Sequence, residues 1–240
     1  MCGIFSRRGL MLGAIAAAAS RPVSGASPDT AKALPCGCSD DEFTNRHRTR
    51  SSSSGDDKFD AALIDELKVI VQVFPDINPG FQFVDARNAF TTTERTYPGT
   101  EGTVWIGKSF VLRLKDQSFD GGIAVAGVLA HECTHVYQLA HASLLQELLK
   151  GQTNGVLAEL HADFMSGYYL ALKRNVMPES LATVQRVFIY PGAYNRADPL
   201  YHGSPGLRGA ALDTGYFVGK DGRTFAEASI IGARYVRDLV

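Results

Sequence analysis

The chain has 240 residues, of which 45% are hydrophobic and 20% charged, and its formal net charge is -1. That is the composition of a globular protein long enough to bury one good-sized core. The near-neutral balance gives no strongly basic surface, and so no electrostatic ground for a nucleic-acid partner.

Residues 1–26 read as an export signal rather than as part of the fold. Arg7 and Arg8 precede an uncharged, modestly apolar run from Gly9 to Ala19, and Ser24, Gly25 and Ala26 offer a small-residue cleavage site. Ser6-Arg7-Arg8 followed by Leu10 and Met11 resembles the twin-arginine type of signal; an ordinary secretory signal is the alternative. Either implies a bacterial periplasmic or secreted protein. No later stretch is long and apolar enough to span a bilayer, so no membrane span is expected once the signal is removed. Residues 27–57 are polar, mixed in charge and end in a serine run, which reads as a flexible linker or pro-segment. The domain is then expected over 58–240.

From Lys58 to Phe74 the pattern is helical, with Phe59, Leu63, Leu67 and Ile70 along one stripe and Pro75 as the stop. Residues 80–86 alternate as a strand does. Residues 88–99 suggest a second, edge-like strand or loop, and 102–114 a further strand leading into a short helix or turn. A long helix is expected over about 122–149, ended by Gly151, and another from Asn154 to about Arg174. Pro178 opens a third helix, residues 189–203 read as loop, and Ser204-Pro205 starts a fourth. Thr224 with Glu227 forms a capping box for the last helix, through about Leu239. A small sheet ahead of packed helices defines an α+β fold.

The chemistry concentrates in Ala130-His131-Glu132-Cys133-Thr134-His135. Two histidines four apart on a helix project from one face, where both reach a single ion. Glu132 beside them can address a water at that ion. Zinc requires these groups: neutral imidazoles to hold it, a position left open, and a carboxylate to take a proton when water attacks. The apolar flanks Val128, Leu129, Val136 and Leu139 place this helix in the interior, where polar groups need a reason to be. A pair of satisfied core histidines is the plain alternative.

Downstream, Glu159 and Asp163 are also four apart and share a helix face. A turn within Glu147–Asn154 would fold this helix back antiparallel to the first. Glu159 can then complete a site of two histidines and one glutamate, and Asp163 can accept the outer N–H of a ligand histidine, fixing its tautomer. The alternative, a solvated helix face, fits poorly with the neighbours Ala158, Leu160, Ala162 and Phe164.

With H-E-x-x-H on one helix and E-x-x-x-D on the next, the chain resembles a gluzincin metallopeptidase. "LAHECTHVYQ", "AELHADFMSGYYLA" and "YHGSPGLRGAALDTGY" are similar to the bacterial neutral zinc metallopeptidases, in patches over about residues 75–220. The resemblance implies zinc held by His131, His135 and Glu159, with Glu132 as general base and acid. It implies an edge strand at Asn88 to Thr91 above the cleft, where an extended peptide could pair. It also implies His202 as donor to the developing oxyanion, with Tyr201, Tyr194 and Tyr190 as alternatives and a plain loop histidine as the competing reading. Cys133 stands where the family commonly has Gly; two residues from His131, it should point away from the metal into the core.

The function implied is an exported zinc endopeptidase acting on a peptide or protein substrate. The alternative is a catalytically silent zinc-binding or interaction module on the same scaffold. A deformylase-like amide hydrolase ranks third, since it needs a cysteine ligand upstream and none lies between Cys38 and Cys133. Cys36 and Cys38 in the linker read as free thiols; a sharper expectation is that one of them caps the zinc before the linker is removed. The sequence carries no signal for oligomeric state.

Overall fold

The computed structural model describes residues 49–117, 120–189 and 201–240. The expected export signal, most of the linker with Cys36 and Cys38, and the loop carrying Tyr190 and Tyr194 lie outside these residues. The described residues form four strands and eight α-helices, an α+β arrangement as the pattern implied.

The elements in chain order are β1 (Arg50–Ser51), α1 (Asp57–Val73), β2 (Pro79–Val84), β3 (Ala89–Thr92), β4 (Gly102–Gly107), α2 (Lys108–Gln117), α3 (Gly121–Ala140), α4 (Ala142–Leu149), α5 (Val156–Ala171), a 3-10 turn at Pro178–Ser180, α6 (Leu181–Ile189), α7 (Pro205–Lys220) and α8 (Phe225–Leu239). Strand order in the sheet is β1-β2-β4-β3. β2 and β4 run parallel, with Phe81 opposite Val104, while β1 and β3 flank them antiparallel. β1 lies within the stretch expected to be linker. Its residues are polar and carry no strand pattern; they are held by pairing with Val84 and Phe83, and Arg50 stacks 4.7 Å over Trp105.

β4 is buried on both faces. Val104 and Ile106 face the main core, while Trp105 joins Phe90, Val84 and Ala86 in a smaller cluster. The two-residue period of a strand accounts for this division. β3 forms one edge of the sheet and packs against α3, which positions it beside the histidines.

α1 begins where Asp56 accepts the N–H groups of Lys58 and Phe59. It buries Phe59, Leu63, Leu67 and Ile70, the stripe read from the sequence. Pro75 forces Phe74 into extended geometry and ends the helix. The helix expected over 122–149 is broken at His141 into α3 and α4. No Pro or Gly marks this point. The His141 ring lies 4.0 Å from the Tyr137 ring, with its Nδ1 2.9 Å from the Tyr137 carbonyl, and the bend lets Leu148 enter the core.

α5 is buried along its whole length and packs against α3, α7 and α8. Its contact with α7 is backbone to backbone: a Cβ on Gly167 would collide with the Leu212 carbonyl, and one on Gly215 with that of Phe164. Glycine costs about 1 kcal/mol against alanine inside a helix, so its use here reflects the close approach. That approach brings Arg208 of α7 to Asp163 of α5.

Candidate metal centre

α3 supplies His131 and His135 from successive turns, with their rings edge to face and 4.8 Å apart. α5 supplies Glu159 from its first turn, where the helix dipole favours a carboxylate. His131 Nε2 and His135 Nε2 are 3.1 Å apart; Glu159 Oε2 is 3.4 Å from the first, and Glu159 Oε1 3.3 Å from the second. Ligands about 2.0–2.1 Å from a tetrahedral ion stand about 3.3 Å from one another. The three side chains therefore form a buried group able to hold one metal ion.

Charge gives a second test of fit. Glu132, Glu159 and Asp163 are buried carboxylates, and Arg208 is the buried guanidinium among them. With all three carboxylates ionised, the excess is two negative charges, which one divalent cation would neutralise. The same carboxylates favour a proton on His131, in competition with an ion. Burial disfavours charge on His131, but Asp163 and Glu159 outweigh it and raise the ring to about 10. Burial alone would raise Glu159 as well, yet His135, and after it His202 and His131, hold it well below the usual carboxylate range.

Asp163, expected as the outer partner of a ligand histidine, lies beside His131. His131 Nδ1 is 2.9 Å from Asp163 Oδ1, an ion-pair contact. Asp163 is gripped in turn by Arg208, whose Nε and Nη2 donate to its two oxygens at 2.7 and 2.8 Å. A third Arg208 bond, 2.7 Å long, goes to the Phe188 carbonyl. The Phe188 ring lies 5.0 Å from the guanidinium and 5.1 Å from the His131 ring.

Glu132 is buried beside these three side chains. Thr91 Oγ1 lies 2.8 Å from Glu132 Oε2 and 3.0 Å from the Glu132 carbonyl, positioned to donate to either. Burial raises the Glu132 carboxyl, with His131 and His135 opposing the shift. His202 is buried just before Gly203, whose φ of +103° makes the turn into α7. Burial lowers its basicity, so it is neutral near pH 7. His202, Glu132, His131 and Glu159 line one cleft of about 370 Å³ including its open mouth, walled by Asn88, Phe110, Val128 and Phe188.

Tyr201, a candidate donor, instead packs into the hydrophobic core. Cys133 is also in the core, where burial raises its thiol, as its offset from His131 implied. His161 lies two residues beyond Glu159 but outside the three-donor group; its ring bonds to Gln138 and to the Ser229 carbonyl.

Three residues make contacts at the site that the sequence pattern does not assign, with Thr91 expected only as part of the edge strand. Thr91 acts on Glu132 from 41 positions away, and Arg208 on Asp163 from 45. Gln138 carries a local signal: three residues beyond His135, it shares that helix face. Comparison with family models, curated proteins and solved structures finds no match.

Proposed function

We propose that the protein is a zinc-dependent endopeptidase of the gluzincin type. The observation that supports it best is the buried His131–His135–Glu159 triangle with Glu132 facing the same cleft. Two imidazoles and one carboxylate suit zinc among the common divalent ions, and a three-residue set leaves a coordination position open.

When bound, zinc would supply a Lewis acid that polarises the scissile carbonyl and acidifies water in the cleft. The chain's own residues do the rest. Glu132 takes a proton from the attacking water and delivers it to the departing amine. Its raised affinity for protons suits both steps. Thr91 engages Oε2, leaving Oε1 for the transfer. Neutral His202 offers an N–H to the oxyanion that develops on the former carbonyl. β3 is an edge strand, and Asn88 and Ala89 line the cleft, so an extended peptide can add to the sheet there. His131 stays fixed throughout by Asp163 and Arg208.

An export signal at residues 1–26, as the sequence suggests, would put this activity in the periplasm or outside the cell. Among the described residues, no helix is long and apolar enough to cross a membrane.

The test is metal content of the purified protein beside Glu159→Ala and Glu132→Gln, with cleavage of a denatured protein substrate assayed in each. About one zinc in the parent, a large loss in Glu159→Ala, and retained zinc without cleavage in Glu132→Gln are expected. A parent without metal overturns the reading. A parent that holds zinc but cleaves nothing reduces it to a zinc-binding module.

A further inference from the structure

We propose that Gln138 is a positioning residue for the metal ligand His135, and that His161 and the backbone of α8 fix Gln138 in turn. The proposal rests on the metal-holding part of the reading above and is independent of hydrolysis.

The observation is one unbroken line of buried polar groups crossing α3, α5 and α8. Gln138 Oε1 lies 2.9 Å from His135 Nδ1. Gln138 Nε2 lies 2.9 Å from the Ala158 carbonyl and 3.2 Å from His161 Nδ1. His161 Nε2 lies 3.1 Å from the Ser229 carbonyl, in the second turn of α8. Gln138, His161 and His135 are all fully buried.

The donor and acceptor roles along this line favour one assignment, although the Ser229 hydroxyl also stands 3.5 Å from His161 Nε2. A carbonyl only accepts, so His161 Nε2 carries the proton toward Ser229. His161 Nδ1 is then a lone pair, and must receive an N–H from Gln138. The Ala158 carbonyl requires the other amide hydrogen. Both hydrogens of Gln138 are thereby used, which fixes the amide with its oxygen toward His135. That oxygen only accepts, so His135 carries its proton on Nδ1. His135 Nε2 is left as a lone pair aimed at the position it shares with His131 and Glu159. Flipping the Gln138 amide would set its oxygen against the Ala158 oxygen, and would leave His135 paired only in the tautomer whose Nε2 carries the proton and cannot hold an ion.

Gln138 also acts on the second ligand helix. Ala158 directly precedes Glu159, so one amide ties the His135 ring to the turn that carries Glu159. The two ligand histidines thus have unlike supports. His131 leans on a charged Asp163–Arg208 pair, and His135 on a neutral amide that adds no further charge to a pocket already rich in carboxylates.

The experiment measures zinc affinity by chelator competition, and the visible absorption of the cobalt-loaded protein, for the parent, Gln138→Met, Gln138→Glu, His161→Leu and Glu159→Ala. Gln138→Met keeps the volume and removes the acceptor; zinc affinity should fall about 10- to 100-fold and the cobalt bands should move. Gln138→Glu, protonated in this buried place, keeps an oxygen for His135 and an O–H for Ala158 or His161, so affinity should return to within about threefold of the parent. His161→Leu should weaken zinc less than Gln138→Met does, and add nothing in a Gln138→Met background. Unchanged zinc binding and cobalt bands in Gln138→Met, while Glu159→Ala loses the metal, would sink the role of Gln138 and leave the metal site standing. A Gln138→Glu variant as weak as Gln138→Met would also overturn it. A parent without metal overturns both proposals. If Gln138→Met fails to fold, His161→Leu and Gln138→Glu decide: parent-like binding in His161→Leu counts against the proposal.

Discussion

Removing Arg208 is the most severe single test of how the site is held. Arg208 is 4% exposed and Asp163 0%, and two bonds of 2.7 and 2.8 Å join them. Arg208→Met keeps much of the side-chain volume and deletes the charge. Among the described residues Asp163 then keeps His131, 2.9 Å from its Oδ1, inside a site that also holds Glu159 and Glu132. Breaking a buried pair from one side costs about 3–5 kcal/mol, because the surviving charge is stranded. His131 relieves part of that, so the lower end, about 3 kcal/mol, is expected. With a urea dependence of about 2 kcal/mol per molar for a domain of this size, the midpoint should fall by about 1.5 M. The measurement is urea unfolding of the metal-stripped protein, which keeps ion binding out of the comparison. Adding Asp163→Asn to Arg208→Met should recover stability, since no stranded charge remains. A midpoint shift under about 0.3 M in the single variant, or no recovery in the double, would show that the pair does not carry the buried charge as argued.

Thr91→Val removes the hydroxyl that positions Glu132 Oε2, and should lower kcat for peptide cleavage about tenfold with metal content unchanged; an unchanged kcat would leave Glu132 positioned by its own helix alone. Gly215→Ala should destabilise by about 2–3 kcal/mol in thermal unfolding, since its Cβ meets the Phe164 carbonyl, whereas Gly122→Ala, whose Cβ meets nothing, should be neutral or slightly stabilising. Equal effects at the two sites would refute the close crossing of α5 and α7. The pH dependence of the metal-stripped protein has opposed sources, with His161, alongside the lowered His202 and Glu159, on the acid side and His131 on the alkaline side. Burial holds His161 down to about 4, below its unfolded value near 6.5, so the unfolded chain binds the extra proton. The stability from this group is full above about pH 6.5 and is lost as pH falls toward 4, on the order of 3 kcal/mol. His131 is raised to about 10, so its contribution is full below about pH 6.5 and is lost as pH rises toward 10. Urea midpoints should therefore fall on both sides of about pH 6.5, and His161→Gln should flatten the acid limb; an acid limb of the same slope in that variant would exclude His161 as its source.

The features legible in the sequence are those set by local periodicity. The stripe Phe59, Leu63, Leu67, Ile70 follows the helical repeat, and Thr224 with Glu227 forms the capping box that opens α8. His131 with His135, and Glu159 with Asp163, are pairs one turn apart, so each helix displays its half of the site without its partner. β1 and the bend at His141 are not legible in this way. β1 exists through its pairing with β2, and the bend arises where no helix breaker stands. Thr91 and Arg208 are defined by partners on other elements, and no spacing rule connects residues 41 or 45 positions apart. Burial of charge does constrain them. Once Asp163 is accepted as the outer partner of His131, the interior holds three carboxylates, and a single divalent ion leaves one uncompensated. A buried cation must then come from elsewhere in the chain, and Arg208 supplies it. The E-x-x-x-D pattern on α5 therefore carries an electrostatic demand for an arginine that the pattern itself does not contain.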